Sequence, residues 1–247
     1  MADASEMVLT YFQKGFNYSQ DGPGNRLVYH LNGCNLRCPW CSNPEGMAPD
    51  SKGRTEDVKA LASAMISAGP MYFEGGGVTL TGGECTLQFD PLKALLILLR
   101  EAGVDTCIET NASHPRLPEL FPYLNTLIAD FKHPDPELHR QWTGTDNLPV
   151  IRNLRAAAAS DLPLQLRVPL IHGVNDDDAA LAGFIAFFKE INRPGLTVEF
   201  LRYHEYGREK WEKQGLAYTM KDAFVSPERA AFFERACKEA GLHVIRT

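Results

Sequence analysis

Three cysteines fall within one short segment, Gly33-Cys34-Asn35-Leu36-Arg37-Cys38-Pro39-Trp40-Cys41. The spacing Cys-x3-Cys-x2-Cys lets a single loop wrap its thiolates around one corner of a cubane iron–sulfur cluster. Three cysteines leave one iron of such a cluster without a protein ligand. An iron with an open position can bind and activate a small molecule, whereas a closed four-cysteine site suits electron transfer or structure. A structural zinc site is the competing reading. Zinc asks for a fourth ligand, and the nearest histidine, His30, falls on a predicted strand. Cys85, Cys107 and Cys237 are scattered along the chain. A secreted disulfide scaffold would spread and pair its cysteines, while in a reducing compartment clustered thiols hold metal or do chemistry.

Such a loop needs a scaffold. Short apolar runs rich in strand formers cover Leu27–Leu31, Val78–Thr81, Thr106–Glu109, Leu127–Asp130, Leu164–Val168 and Val198–Tyr203. Near-continuous apolar strands are what a parallel sheet covered on both faces requires. Helical patterns separate them. Thr55 caps a predicted helix reaching about Ala68, and Asp90-Pro91 opens one that Gly103 ends. Asp176 precedes a helix whose apolar face carries Leu181, Phe184, Ile185 and Phe188. Ser226-Pro227 starts the last helix, with Ala230, Phe233 and Cys237 on its apolar face and Gly241 at its end. Six βα units predict an α/β fold, either an open doubly wound sheet or a partial barrel. Both place ligands at the carboxyl ends of the strands.

Polar groups recur at those ends. Cys34 follows the first predicted strand and Gly82-Gly83-Glu84 the second. Glu109-Thr110-Asn111 ends the third, Asp130 and Lys132 end the fourth, Arg167 lies near the end of the fifth, and His204 follows the sixth. The glycines let backbone approach a ligand closely, and Glu84 offers acceptors to an ammonium; a tight turn with a carboxylate at a helix start reads equally well. Lys132 and Arg167 present cations to a carboxylate, either a ligand's or that of Asp130. Trp40 suits a ring contact or plain packing.

With 247 residues, 44% of them hydrophobic, the chain can build one sizeable core, and a single domain over 1–247 is expected. A net charge of −6 argues against a nucleic-acid footprint. No apolar run is long enough to span a membrane. The segment Met1–Tyr11 carries Asp3 and Glu6 and lacks a basic start, so it does not read as a signal peptide, and a cytoplasmic protein is expected.

The motif Cys-x3-Cys-x-aromatic-Cys, with Trp40 as the aromatic residue, resembles the signature of the radical S-adenosylmethionine superfamily. Within it the chain is similar to the activating enzymes of glycyl-radical enzymes. Further landmarks carry that resemblance: Asp21-Gly22-Pro23-Gly24, Asn43-Pro44-Glu45, Gly75-Gly76-Gly77-Val78-Thr79, Thr81-Gly82-Gly83-Glu84 and Asp130-Phe131-Lys132. Asn175-Asp176-Asp177, Tyr203-His204-Glu205-Tyr206-Gly207 and Lys210-Trp211 complete the set. Many such enzymes carry a cysteine-rich, ferredoxin-like insert after the cluster loop. No cysteine lies between Ser42 and Glu84 here, so one cluster is expected.

The resemblance implies a partial (β/α)6 barrel of parallel strands, open on one side. It implies a [4Fe–4S] cluster on Cys34, Cys38 and Cys41, and S-adenosylmethionine bound by Gly82, Gly83, Glu84, Asp130, Lys132 and Arg167. Trp40, Ser42 and His204 would lie by its adenine and ribose. Asp21 would face the substrate; as residues alone, Asp21-Gly22-Pro23-Gly24 also reads as a tight turn. A monovalent cation near the cofactor is implied at a position where the relative has Asp before Thr-Asn; Glu109 keeps the carboxylate on a longer stem. The implied reaction is reductive cleavage to a 5′-deoxyadenosyl radical, which takes hydrogen from a glycine of a partner glycyl-radical enzyme. The implied electron donor is a flavodoxin or ferredoxin, and the implied state a monomer. A small-molecule or other peptide substrate, and a non-catalytic iron–sulfur protein, fit the cysteine loop as well.

Overall fold

All six apolar runs form strands in the computed structural model, which describes residues 7–48 and 53–247. Asp3 and Glu6 of the N-terminal segment lie outside the described residues. The strands are β1 (Val8–Tyr18), β2 (Asn25–Leu31), β3 (Arg54–Asp57), β4 (Val78–Gly82) and β5 (Thr106–Thr110). They continue with β6 (Thr126–Asp130), β7 (Leu164–Leu170), β8 (Leu196–Arg202) and β9 (Val244–Ile245). Their order is β3-β1-β2-β4-β5-β6-β7-β8-β9, an α/β arrangement whose sheet does not close. The pairs β2–β4, β4–β5, β7–β8 and β8–β9 are parallel. Burial is nearly continuous along β2 and β7, as strands covered on both faces demand.

β1 and β3 were not visible as apolar runs. β1 pairs antiparallel with both β2 and β3, and its second half is largely exposed. A strand at the sheet margin buries too little side-chain surface to leave an apolar signature. Thr55 is therefore not a helix cap: it sits in β3, opposite Thr10. The cap is Asp57, whose carboxylate accepts from Lys59 N and Ala60 N at the start of α1 (Val58–Ser67). Asp57→Ala is expected to cost about 1 kcal/mol, read as a lowered thermal midpoint.

The remaining helices are α2 (Phe89–Glu101), α3 (Pro136–Thr143), α4 (Leu148–Ala158), α5 (Asp178–Glu190), α6 (Arg208–Lys213) and α7 (Pro227–Glu239). Ser226 caps α7, and Ala230, Phe233 and Cys237 are buried as the periodicity requires. Asp176 precedes α5 as expected; Asp177 caps the helix, while Asp176 accepts from Gly173 N and pairs with His172. No described helix is long and apolar enough to cross a membrane.

Two compact units are distinguishable. The first comprises Met1–Asn35, Glu45–Thr110 and Arg116–Ile128. Its core packs α1 on α2, and Leu61 and Met65 of α1 and Leu92, Leu95, Leu96 and Leu99 of α2 are buried. The second comprises Leu36–Pro44, Asn111–Pro115 and Ala129–Thr247. Its core centres on Phe131, whose ring lies 4.8 Å from Phe187, 5.7 Å from Phe188 and 5.9 Å from Phe184.

Candidate active site

In the first unit, β2 delivers the chain to Cys34. Gly33 turns it at φ 92°, and Gly33 N and Cys34 N donate to Gly46 O and Met47 O. Gly82-Gly83-Glu84, at the end of β4, lies directly on this turn: Gly83 N donates to Leu31 O at 2.9 Å and Glu84 N to Gly33 O at 2.6 Å. The glycines are needed for that approach. A Cβ on Gly82 would stand 2.2 Å from Leu31 N, and one on Gly83 2.3 Å from Gly33 O. So their small size serves contact of chain on chain at the start of the cysteine loop.

Glu84 is buried. Its Oε1 accepts from Thr86 N at 3.0 Å, Thr86 Oγ1 at 2.5 Å and Thr110 Oγ1 at 2.6 Å, which holds the carboxylate between the ends of β4 and β5. Cys85 opens the turn that Glu84 caps. It is fully buried, its thiol 3.6 Å from Glu109 O. Burial, with the Glu84 charge adding to it, pushes that thiol well up, so Cys85 is a packed, unreactive group. Glu109 Oε2 accepts from Thr81 Oγ1 at 3.2 Å.

Asp21 is held at its backbone and at its side chain. Its carbonyl accepts from Thr79 Oγ1 at 2.6 Å and its carboxylate from Asn17 Nδ2. Thr79 Oγ1 accepts in turn from Arg26 Nε at 2.7 Å. Arg26, fully buried, also donates to Pro23 O, Gly75 O, Val78 O and Asp105 O, and its Nη1 lies 2.9 Å from Asp105 Oδ1. The sequence reading missed this guanidinium. An arginine immediately before the apolar run Leu27–Leu31 was the available signal.

The second unit supplies Cys38, Trp40, Cys41 and Ser42. Arg37 N donates to Thr143 O at 2.8 Å and Cys41 N to Cys38 O at 3.1 Å, which curls the loop. Asn43 N donates to Cys41 Sγ at 3.4 Å. Trp40 packs against Trp142 of α3, ring centroids 6.3 Å apart. Cys38 is buried, and Cys34, Cys41 and Ser42 are half-buried. None of the six cysteines forms a disulfide.

Asp130, the last residue of β6, pairs with Lys132 at 2.7 Å, and Lys132 O accepts from the buried Asn175 Nδ2. Arg167 lies at the middle of β7 rather than near its end, and its Nε donates to Glu199 Oε2 at 3.0 Å with both side chains buried. Burial would raise the Glu199 carboxyl, but hydrogen bonds from Thr247 and Arg167 and the guanidinium charge outweigh it and hold it below the usual range. His204 follows β8, its ring stacked 4.3 Å from that of Tyr206; desolvation holds its pKa below the usual value. The second unit thus brings Asp130 to Lys132 but gives Arg167 Nε to Glu199.

The family model of the Radical SAM superfamily matches residues 28–185. This chain belongs to that superfamily. It is 31% identical over 220 residues to the pyruvate formate-lyase-activating enzyme of Staphylococcus aureus (strain USA300), covering 85% of this chain and 87% of that protein. A domain of pyruvate-formate lyase-activating enzyme from Bacteroides vulgatus superposes with a TM-score of 0.58 at 22% identity, over 69% of this chain and 98% of that one. Streptococcus suis SuiB bound to S-adenosylmethionine superposes with a TM-score of 0.66 at 18% identity, over 88% of this chain and 49% of that one. The protein is a radical SAM enzyme of the activating type, and the superfamily's cofactors are a [4Fe–4S] cluster and S-adenosylmethionine.

The residues present fit a cluster of this kind. Among the described residues no three His, Cys, Asp or Glu side chains gather around a single metal-ion position. Ligands of a cubane bind separate irons and stand further apart than ligands of one ion. The donor set is three thiols in one loop, none tied in a disulfide, with a backbone N–H already aimed at Cys41 Sγ, the kind of donor that stabilises thiolate ligands.

Proposed function

We propose that this radical SAM enzyme activates a partner glycyl-radical enzyme by taking a hydrogen atom from one of its backbone glycines. The observation that carries the reading is likeness to a pyruvate formate-lyase-activating enzyme along nearly the full length of both chains. When bound, the cluster and S-adenosylmethionine supply one-electron cleavage of a carbon–sulfur bond to methionine and a 5′-deoxyadenosyl radical, the electron coming from a flavodoxin or ferredoxin.

The chain's own residues bind, orient and exclude water. Cys34, Cys38 and Cys41 would hold the cluster through their thiolates. Gly82, Gly83 and Glu84 take the amino end of the cofactor. Lys132, set by Asp130, takes its carboxylate, with Arg167 held by Glu199 on the same wall. A largely neutral His204 offers a flat ring to the ribose or adenine, beside Trp40 and Ser42. Glu109 is the carboxylate for a monovalent cation. Asp21, fixed through Thr79, faces the partner's peptide. The whole of 1–247 acts as one domain, as a cytoplasmic monomer.

The test is anaerobic. Protein reconstituted with iron and sulfide, then given dithionite and S-adenosylmethionine, is expected to release 5′-deoxyadenosine, and Cys38→Ala to release none above background. Adding the cognate glycyl-radical enzyme is expected to produce a glycyl doublet by electron paramagnetic resonance. Cleavage without a doublet would overturn the partner assignment. A fully loaded protein that makes no 5′-deoxyadenosine would overturn the radical chemistry.

A further inference from the structure

Helix α6 and the residue before it close on the end of the cysteine loop. Trp211 is buried, and its indole Nε1 donates to Cys41 O at 2.9 Å across 170 residues of sequence. Lys210 Nζ donates to Asn43 Oδ1 at 2.8 Å. Gly207, where the helix begins, lies so close that a Cβ there would stand 2.8 Å from both Cys41 O and Ser42 Cα. Behind Trp211, the ring of Tyr218 packs edge-on at 5.8 Å, and its hydroxyl bonds that of Tyr203 at 2.6 Å. The sequence motif Lys210-Trp211 thereby acquires a physical task that no cofactor contact accounts for.

We propose that Trp211 and Lys210 are positioning residues for the third cluster ligand. They act through Cys41 and Asn43. The indole bond fixes the Cys41 carbonyl, and the ammonium bond fixes the Asn43 side chain. With both ends of the Cys41–Asn43 turn pinned, the Asn43 N–H stays directed at Cys41 Sγ. An N–H donor on a ligating thiolate stabilises the more negative, reduced state of a cluster and so raises its reduction potential. The clamp therefore serves two ends: retention of the ligand, and easier reduction of a centre that must accept an electron before any chemistry starts.

The inference rests on the reading of Cys41 as a cluster ligand, and the experiment separates the two. Full-length protein is reconstituted anaerobically as wild type, Trp211→Phe, Lys210→Met and Cys41→Ala. Trp211→Phe keeps an aromatic ring in the pocket and removes the donor together with part of the indole's volume; Lys210→Met keeps the stem on a half-buried position. Two readouts are taken: the rate of iron release to a chelator, and the cluster midpoint potential from titration of the reduced-cluster signal. Trp211→Phe is expected to release iron on the order of 10-fold faster. Both Trp211→Phe and Lys210→Met are expected to shift the midpoint to more negative potential, which loss of packing alone would not do. If Cys41→Ala loses its cluster while both clamp variants match wild type in release rate and potential, the clamp is wrong and the ligand reading stands. If Cys41→Ala keeps a wild-type cluster, both fall.

Discussion

Arg26→Met will lower the folding stability by about 3–5 kcal/mol, the range for removing one member of a buried charged network. The guanidinium is fully buried and ties four backbone carbonyls, one hydroxyl and one carboxylate. Methionine fills the space but takes the guanidinium donor from all of them; Asp105 O keeps the Val78 N–H, and any acceptor left unsatisfied in the interior costs more than its bond contributed. Arg26→Lys will recover only part of the loss, because an ammonium lacks the planar fork that reaches several carbonyls at once. Urea unfolding measures it: the midpoint falls with an unchanged slope. A fall under about 1 kcal/mol would mean that water replaces the guanidinium and that the network is dispensable. The pH dependence carries its own sign. Burial raises the Asp105 carboxyl despite the opposing pull of Arg26, so the folded state holds that proton to higher pH than the unfolded chain does. Asp105 thus lowers stability as pH rises from its unfolded value through its folded one, and removing Arg26 will move the upper end of that window higher. Because Thr79 stands between Arg26 and the Asp21 carbonyl, the same variant will loosen the Asp21 loop.

Gly83→Ala will cut 5′-deoxyadenosine formation by about 100-fold, as expected when a reacting centre is displaced by an ångström or so. The new Cβ would fall 2.3 Å from Gly33 O and 2.4 Å from Gly46 O. Both are backbone atoms, so no side chain can swing away. The chain must move, and what moves is the turn that delivers Cys34 and the strand end that carries Glu84. Gly69→Ala is the control: it meets nothing within 4 Å, and Gly69 does not occupy the left-handed region. Product rate and iron content measured together decide the matter. A Gly83→Ala protein with the wild-type rate would show that the close contact of Gly82-Gly83-Glu84 with the cysteine loop is not needed for cleavage.

Much of this protein was legible in its residues because the relevant signals are local. The cysteine spacing lies within one loop. The six buried strands announced themselves as apolar runs, since a strand covered on both faces has no polar side to hide it. Ser226-Pro227 and the three- and four-residue spacing behind it located α7 for the same reason.

The rest waited on tertiary contact. β1 and β3 lie at the sheet margin and bury too little to leave a pattern, and pairing with β1 is what draws Thr55 into a strand and passes the cap to Asp57. Arg167 read as a cation for a carboxylate, a ligand's or that of Asp130, and only the fold brings its Nε to Glu199, 32 residues away on the neighbouring strand. Arg26, just ahead of the apolar run Leu27–Leu31, drew no reading at all and proves to join loops far apart in sequence. Trp211 stood in a motif without a task until the fold set its N–H against Cys41. Spacing along the chain determines which groups share a turn or a face. Which distant donor meets which buried acceptor is decided only when the chain closes on itself, because a hydrogen bond depends on separation in space and its partners can lie anywhere in the sequence.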